Sequence, residues 1–213
     1  MSRVFVQFFH QVRGQALLVL SGGIIIWPII LLSIISLAIV LEKLWNLARD
    51  IIIPRNLTEN LISLVSHDSL SEKKIKKMSN DSVLGNIFAH LIREKNKDKA
   101  SLRLKAEEVG RFEVNRLEQY LSLLGTIATV SPILGLLGTV MGMINIFSNL
   151  LESNLGSVSP LAGGIAEALV TTAAGLFVAI PTLIFYRHFS RTIENYSLEL
   201  EEESNKLIDY LSK

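Results

Sequence analysis

The sequence predicts an all-α, polytopic membrane protein with three transmembrane helices. Hydrophobic residues make up 49% of the 213 residues and charged residues only 19%, which is unusual for a soluble domain. Three nearly charge-free stretches each reach the roughly 20 residues that a membrane-spanning helix needs, whereas a buried strand would be far shorter. A soluble helical bundle would need a polar face at helical period, which these stretches lack.

The N-terminal part is predicted to hold an interfacial helix and then the first span. Within residues 1–22, apolar residues such as Phe5, Phe8 and Val12 recur on one helical face, as in a helix lying at a membrane interface. Residues 23–45 form the predicted first transmembrane helix, with Trp27 and Trp45 as interfacial aromatics near its ends. The apolar run is too long for a signal peptide and lacks a small-residue cleavage site, so we expect it to be retained.

The rest of the chain divides into two further spans and their connections. The predicted segments are a helical cytoplasmic loop (46–118), the second transmembrane helix (119–150), a periplasmic turn (151–162), the third transmembrane helix (163–187) and a cytoplasmic C-terminal helix (188–213). From about Ala100 the pattern predicts one unbroken helix that continues into the second span. Pro28, Pro132 and Pro181 are each expected to interrupt the hydrogen-bond ladder of a span.

Basic residues predict the orientation of the chain. Residues 42–118 hold fifteen Lys and Arg, the segment after Tyr186 holds four, residues 1–22 hold two, and residues 152–163 hold none. The positive-inside rule then places the large loop and the C-terminus in the cytoplasm, and the odd number of spans places the N-terminus on the outer side of the membrane. The basic run Lys73–Lys77 has Glu72 beside it and no interleaved aromatics, so we expect a solvated surface and no nucleic-acid partner.

Small residues form a stripe on each of the last two spans. Such stripes let helices approach closely in lipid, so close helix packing is expected here, with membrane lipids as the surroundings. The glycines follow neither a Walker A nor a dinucleotide-binding pattern, which argues against nucleotide binding. The stripes comprise Ser131, Gly135, Gly138 and Gly142 in the second span, and Ala168, Thr172, Gly175 and Ala179 in the third.

Within the second span and the third span up to Arg187, which closes it, Glu167 is the only acidic or basic residue. Counting back from Arg187 places it at the outer boundary of the membrane, whereas a span that begins near Pro160 places it inside, and both registers remain open. A carboxylate inside a membrane is costly and is therefore a functional-site candidate, with a tolerated interfacial residue as the alternative. Thr139, Thr171 and Thr172 either bond their own helix backbone or line a polar path.

Enzymatic chemistry is not expected. The chain has no cysteine, and its histidines, His10, His67, His90 and His188, are scattered over loops and helix ends, so neither a metal site nor a catalytic triad is predicted. We expect no cofactor.

Three stretches carry a resemblance to a known family. GLLGTVMGMI at residues 135–144, GGIAEALVTTAAGLFVAIPTL at Gly163–Leu183 and WPIILLSIISLAIVLEKLWNL at Trp27–Leu47 resemble the ExbB/TolQ/MotA proton-channel family, and most of all its ExbB branch. The resemblance covers all three spans, their order and their loop sizes. The middle of the cytoplasmic loop and the extreme N-terminus match loosely.

The resemblance implies a homopentameric inner-membrane channel of a Gram-negative bacterium. Such a channel encloses helices of a single-span ExbD-like partner and couples the proton-motive force to a TonB-like protein, and so to outer-membrane import. Carried over by position, Glu167, Thr139 and Thr172 would line the proton pathway, and the proton-accepting aspartate would lie on the partner. The alternatives are a TolQ-like subunit for envelope maintenance, a MotA-like subunit, disfavoured because this chain lacks a fourth span, and a non-conducting membrane scaffold.

Overall fold

The computed structural model describes residues 23–66, 71–152 and 159–212, and within these residues every regular element is a helix. The predicted interfacial helix at 1–22, residues 153–158 of the predicted periplasmic turn and the last residue of the predicted C-terminal helix lie outside the described residues. The helices are α1 (Ile26–Asn46), α2 (Arg49–Ile52), α3 (Leu57–Ser66), α4 (Glu72–Asp81), α5 (Val83–Arg93), α6 (Lys99–Leu117), α7 (Leu121–Glu152) and α8 (Ser159–Leu211).

Three segments among the described residues are long and apolar enough to cross a membrane. They are Ile26–Asn46, Lys99–Ser148 and Gly163–Leu211. Helix α8 runs past the predicted end of the third span, since it joins residues 163–187 and 188–211 without a break. The prediction that Pro28 interrupts a ladder is wrong, since it is the third residue of α1, where a backbone N–H has no partner within the helix. Pro132 and Pro181 do lie inside α7 and α8.

The chain forms two compact units. The first combines Leu123–Tyr186 with the chain before Leu41, and the second combines Leu41–Ser122 with the chain after Tyr186. In the first unit, α1, α7 and α8 leave many large apolar side chains on the outside, among them Ile34, Leu136 and Phe177. A water-soluble domain would bury most such side chains, so their exposure is typical of helices that meet lipid or other protein chains.

In the second unit, α5 contributes several residues to the hydrophobic core. Its residues Leu84, Ile87, Phe88 and Leu91 are almost fully buried. The helix begins where Ser82 Oγ accepts a hydrogen bond from the Gly85 backbone N–H at 3.0 Å, an N-cap that satisfies one free donor of the first turn.

The Asp98 carboxylate caps α6 in the same way. It accepts hydrogen bonds from the Ser101 hydroxyl at 2.6 Å and from the Ser101 backbone N–H at 3.2 Å. The side-chain hydrogen bond and then the backbone one hold the pKa of Asp98 below its ordinary value, because both favour the charged carboxylate.

The C-terminal half of α8 binds the helices that follow α1. Each contact joins a polar group of α8 to a polar group on another helix or turn of the second unit. The pairs are the Tyr196 hydroxyl with Leu47 O, Glu199 with Arg49, Glu203 with the Thr58 hydroxyl, and Asp209 with Lys99. Burial raises the pKa of Glu203, but hydrogen bonds from Lys206 and Thr58 outweigh it, so this pKa lies below its ordinary value.

The predicted unbroken helix from Ala100 into the second span is wrong at residues 118–120. Helix α6 ends at Leu117, and Tyr120 adopts a left-handed backbone with φ 66° before α7 begins. Lys43 is 2% exposed, and its Nζ donates to the Leu117 carbonyl oxygen at 2.9 Å. A buried cation therefore satisfies a carbonyl that a continuous helix would have used internally.

Candidate functional site

Helices α7 and α8 touch each other at backbone level through small residues. A β-carbon added to Gly135 would lie 3.1 Å from Thr172 Cα, and one added to Gly142 would lie 3.0 Å from Ala168 Cβ. Residue numbers on α8 fall as those on α7 rise, so the two helices are antiparallel. We call this contact the α7–α8 seam, and the absence of side-chain bulk on both helices is what permits it.

Gly175 marks the tightest backbone contact of the seam. A β-carbon at this position would lie 2.5 Å from the Ser131 carbonyl oxygen and 3.1 Å from Gly135 Cα. Ser131 is fully buried, and its hydroxyl donates to the Ile127 carbonyl oxygen at 2.7 Å, which satisfies it within its own helix. Ala179 is also buried. The structure thus brings small residues of both predicted stripes into one contact.

The three proposed pathway residues lie at the margin of this seam. Glu167, Thr139 and Thr172 are all half-buried, whereas the small residues beside them are buried. Because Gly142 meets Ala168 and Gly135 meets Thr172, the antiparallel register puts Thr139 at a level between Glu167 and Thr172. The three residues therefore lie at successive levels along the helix axes, although Glu167 and Thr172, five residues apart, lie on opposite margins of the small-residue stripe of α8.

Hydrogen bonding limits what the two hydroxyls can do. Thr172 Oγ1 donates across the seam to the Gly135 carbonyl oxygen at 3.0 Å, and Thr139 Oγ1 donates to the Leu136 carbonyl oxygen at 2.6 Å. Each hydroxyl hydrogen is thus committed to the main chain, but each oxygen keeps lone pairs that can accept. In this conformation the threonines can receive a hydrogen bond from water or a partner and cannot donate one.

Glu167 lies within a helix and not at its first turn. Helix α8 begins at Ser159, eight residues earlier, which corresponds to about 12 Å along the axis. The Glu167 carboxyl group packs against Gly23, just before α1, and its main-chain carbonyl oxygen accepts the Thr171 hydroxyl at 2.6 Å. Its side chain therefore contacts the turn that precedes α1 as well as belonging to α8.

A buried hydroxyl pair joins α1 to α8 further along the same unit. Ser36 Oγ and Thr182 Oγ1 lie 2.7 Å apart, and Thr182 also donates to the Val178 carbonyl oxygen at 2.7 Å. Since Thr182 has one hydroxyl hydrogen and uses it on Val178, Ser36 must donate to Thr182. Interhelical hydrogen bonds of this kind stabilise helix contacts in lipid.

Among the described residues, no group of three or more His, Cys, Asp or Glu side chains lies close enough to hold a metal ion. The polar side-chain groups at the seam are therefore one carboxyl group and a few hydroxyls.

Comparison with known proteins decides the family. The model of the MotA/TolQ/ExbB proton channel family matches residues 76–202. The chain belongs to this family. Its similarity extends to ExbB-like 1 of Synechocystis sp., with 33% identity over 171 residues that cover 79% of this chain and 67% of the relative.

Members of both the ExbB and the TolQ branch of the MotA/TolQ/ExbB family resemble the chain. ExbB of Salmonella typhimurium is 36% identical over 114 residues, covering 53% of this chain and 45% of that protein. TolQ of Pseudomonas aeruginosa is 45% identical over 82 residues, covering 38% of this chain and 36% of that protein.

Sequence reasoning missed the part that two residues play at this site. Thr171 is fully buried and fills the space over Gly138, whereas the adjacent Thr172 is the threonine at the margin of the seam. Gly23 was not singled out, although it touches the Glu167 carboxyl. The position of Thr171 next to the small-residue stripe was a sequence signal for its role. The role of Gly23 is revealed only by its three-dimensional contact with Glu167.

Proposed function

We propose that this chain is a proton-channel subunit of an inner-membrane motor that energises TonB-dependent outer-membrane import together with an ExbD-like partner. The observation that carries the proposal is the arrangement at the α7–α8 seam. One carboxyl group, from Glu167, and two half-buried hydroxyls, from Thr139 and Thr172, lie in succession along two apolar helices that are packed at backbone level.

A carboxyl group in such a setting can bind and release a proton. An ionised carboxylate facing lipid is costly, so Glu167 gains from facing a protein interior or a water-filled cavity. The seam holds no second acid and no base with which Glu167 could complete a relay, since residues 119–151 and 163–186 contain no other acidic or basic residue. The proton acceptor is therefore assigned to a partner chain, for which a single-span ExbD-like protein with a membrane aspartate is the fitting class.

The proposed assembly is a homopentamer with the N-terminus in the periplasm and the C-terminus in the cytoplasm. The clustering of basic residues in the loop between α1 and α7 and after Tyr186 supports this orientation. A TonB-like protein is the proposed receiver of the motor's output. The role is mechanical and conductive, so we propose no enzymatic activity.

A TolQ-like role in envelope maintenance is the second candidate, favoured by the 45% identity to TolQ of Pseudomonas aeruginosa over 82 residues. Deleting the gene in its own host separates the two. Loss of TonB-dependent uptake with an intact envelope supports the first role, and leakage of periplasmic proteins with normal uptake supports the second.

The channel proposal is tested with Glu167→Gln, which keeps the shape of the side chain and removes its charge. The purified complex with its partner is placed in liposomes, and proton flux driven by a pH gradient is measured with a fluorescent dye. We expect the variant to assemble normally and to lose proton flux. The matched control is Glu194→Gln, an exposed acid on the same helix, which should leave flux unchanged. Unchanged flux in Glu167→Gln would overturn the channel proposal and favour a non-conducting scaffold.

A further inference from the structure

We propose that Gly23 positions the carboxyl group of Glu167, and that the absence of a side chain at residue 23 creates the space in which this carboxyl lies. The inference rests on the proposed function, because it concerns the same carboxyl. It adds a residue from before α1 to a site otherwise built from α7 and α8.

The contact itself is the first observation. A β-carbon built on Gly23 would collide with Glu167 Oε1 and would lie 3.1 Å from Glu167 Cδ and 3.8 Å from Cγ. All three nearest atoms belong to the end of one side chain, and none belongs to the backbone. A side chain at residue 23 would therefore displace the carboxyl group and would not push the helices apart.

The backbone conformation at this position is the second observation. Gly23 has φ +63°, in the left-handed region that glycine adopts without steric cost and other residues adopt rarely. Glycine at residue 23 thus meets two requirements together, since it allows the turn that leads into α1 and leaves room for the carboxyl. The two requirements can be separated, because only the second depends on the length of the side chain at residue 167.

Position matters for a group that exchanges protons. A donor and acceptor must approach within hydrogen-bond distance, and misplacement by about 1 Å can lower a rate by on the order of a hundredfold. With its carboxyl held against Gly23, Glu167 keeps one defined place at the margin of the seam while part of its surface remains open to a partner. Gly23 is thus a positioning residue, and the proton is carried by Glu167.

The test uses dicyclohexylcarbodiimide, an apolar reagent that forms a stable N-acylurea with protonated carboxylic acids. Labelling of the peptide that contains residue 167 is followed by mass spectrometry in the purified, membrane-reconstituted protein. We expect Gly23→Ala to speed this labelling several-fold, because the displaced carboxyl loses its cover. Gly163→Ala is the matched control, since a β-carbon there meets nothing within 4 Å, and it should leave the labelling rate unchanged.

A shorter acid separates carboxyl displacement from backbone strain. In Glu167→Asp the side chain is one methylene shorter, so we expect its carboxyl to reach residue 23 less closely and Gly23→Ala to raise its labelling rate less. An equal increase in both backgrounds would trace the effect to strain in the turn and overturn the proposal, as would labelling that Gly23→Ala leaves unchanged. If Gly23→Ala does not assemble, Gly23→Asn tolerates the left-handed backbone better and the same criteria apply.

Proton flux, measured in the same samples, distinguishes failure of this inference from failure of the channel proposal. Both hold if Gly23→Ala lowers flux about tenfold or more while the complex stays assembled. If Glu167→Gln conducts normally but Gly23→Ala still speeds labelling of Glu167, the channel proposal falls and the positioning role of Gly23 stands.

Discussion

Replacing Gly175 by alanine tests whether the α7–α8 seam is a backbone contact. The added β-carbon would lie 2.5 Å from the Ser131 carbonyl oxygen, whereas such carbon–oxygen contacts are ordinarily about 3.3 Å or longer. The helices would therefore have to separate by roughly 0.8 Å, because backbone atoms cannot rotate away as a side chain can. Forcing extra volume into a packed interface of this kind costs about 1–3 kcal/mol.

The loss of stability in Gly175→Ala is measured relative to Gly163→Ala, a substitution in the same helix. Both substitutions bring the same gain in helix propensity, so it cancels in the comparison, and only Gly175→Ala meets a neighbour. Thermal or detergent-induced unfolding of the purified protein, followed by circular dichroism, should show Gly175→Ala to be less stable than Gly163→Ala by about 1–3 kcal/mol. Equal stability of the two variants would show that α7 and α8 are not in backbone contact at this position.

Three further predictions concern buried hydroxyls and a titrating acid. Ser36→Ala and Thr182→Val should each destabilise the purified protein mildly, with a coupling energy of about 0.6 kcal/mol in a double-mutant cycle, and strictly additive effects would argue against their hydrogen bond. Thr58→Ala should cost about 1–2 kcal/mol in unfolding experiments at pH 7, because Glu203 loses a hydrogen bond, and no loss would contradict that contact. The folded-state pKa of Glu203 lies below its ordinary value, so its contribution to stability is present above that ordinary pKa and is lost as the pH falls through the folded-state pKa. Thr58→Ala should therefore lose less stability than the wild type when the free energy of unfolding is followed down an acid titration. Parallel curves for the two proteins would contradict this linkage.

The sequence alone predicted the three apolar helices because hydropathy is a local property. The runs that become α1, α7 and α8 are charge-free over lengths that a bilayer dictates, so no distant contact is needed to recognise them. The break between α6 and α7 is different. Residues 118–120 contain no glycine or proline, and the carbonyl freed at Leu117 is satisfied by Lys43, 74 residues away in the chain. A hydropathy pattern over a short stretch of sequence cannot reveal a hydrogen-bond partner so far away in the chain.

The candidate site, too, was predictable from the sequence in its local features and not in its long-range contacts. Its residue types were readable from the sequence, since a single acid between small residues stands out in an apolar run. The side of the helix on which each of these residues lies could not be predicted from the sequence. Thr171 and Thr172 differ by one residue, or about 100° around the helix, and only the position of α7 decides which is buried and which is at the margin.

The burial pattern at the seam gives a physical reason to expect further chains around it. Small residues bring α7 and α8 into backbone contact, but Glu167, Thr139 and Thr172 remain half-buried on a single chain. Leaving the Glu167 carboxyl group against lipid is unfavourable, because hydrocarbon offers it no hydrogen-bond partner, whereas the two hydroxyls already donate to main-chain carbonyl oxygens. The exposed apolar side chains on the same three helices gain nothing by avoiding lipid, so the polar margin is what demands a protein or water-filled surrounding. A second copy of this chain and a partner helix with its own acid would both meet that demand.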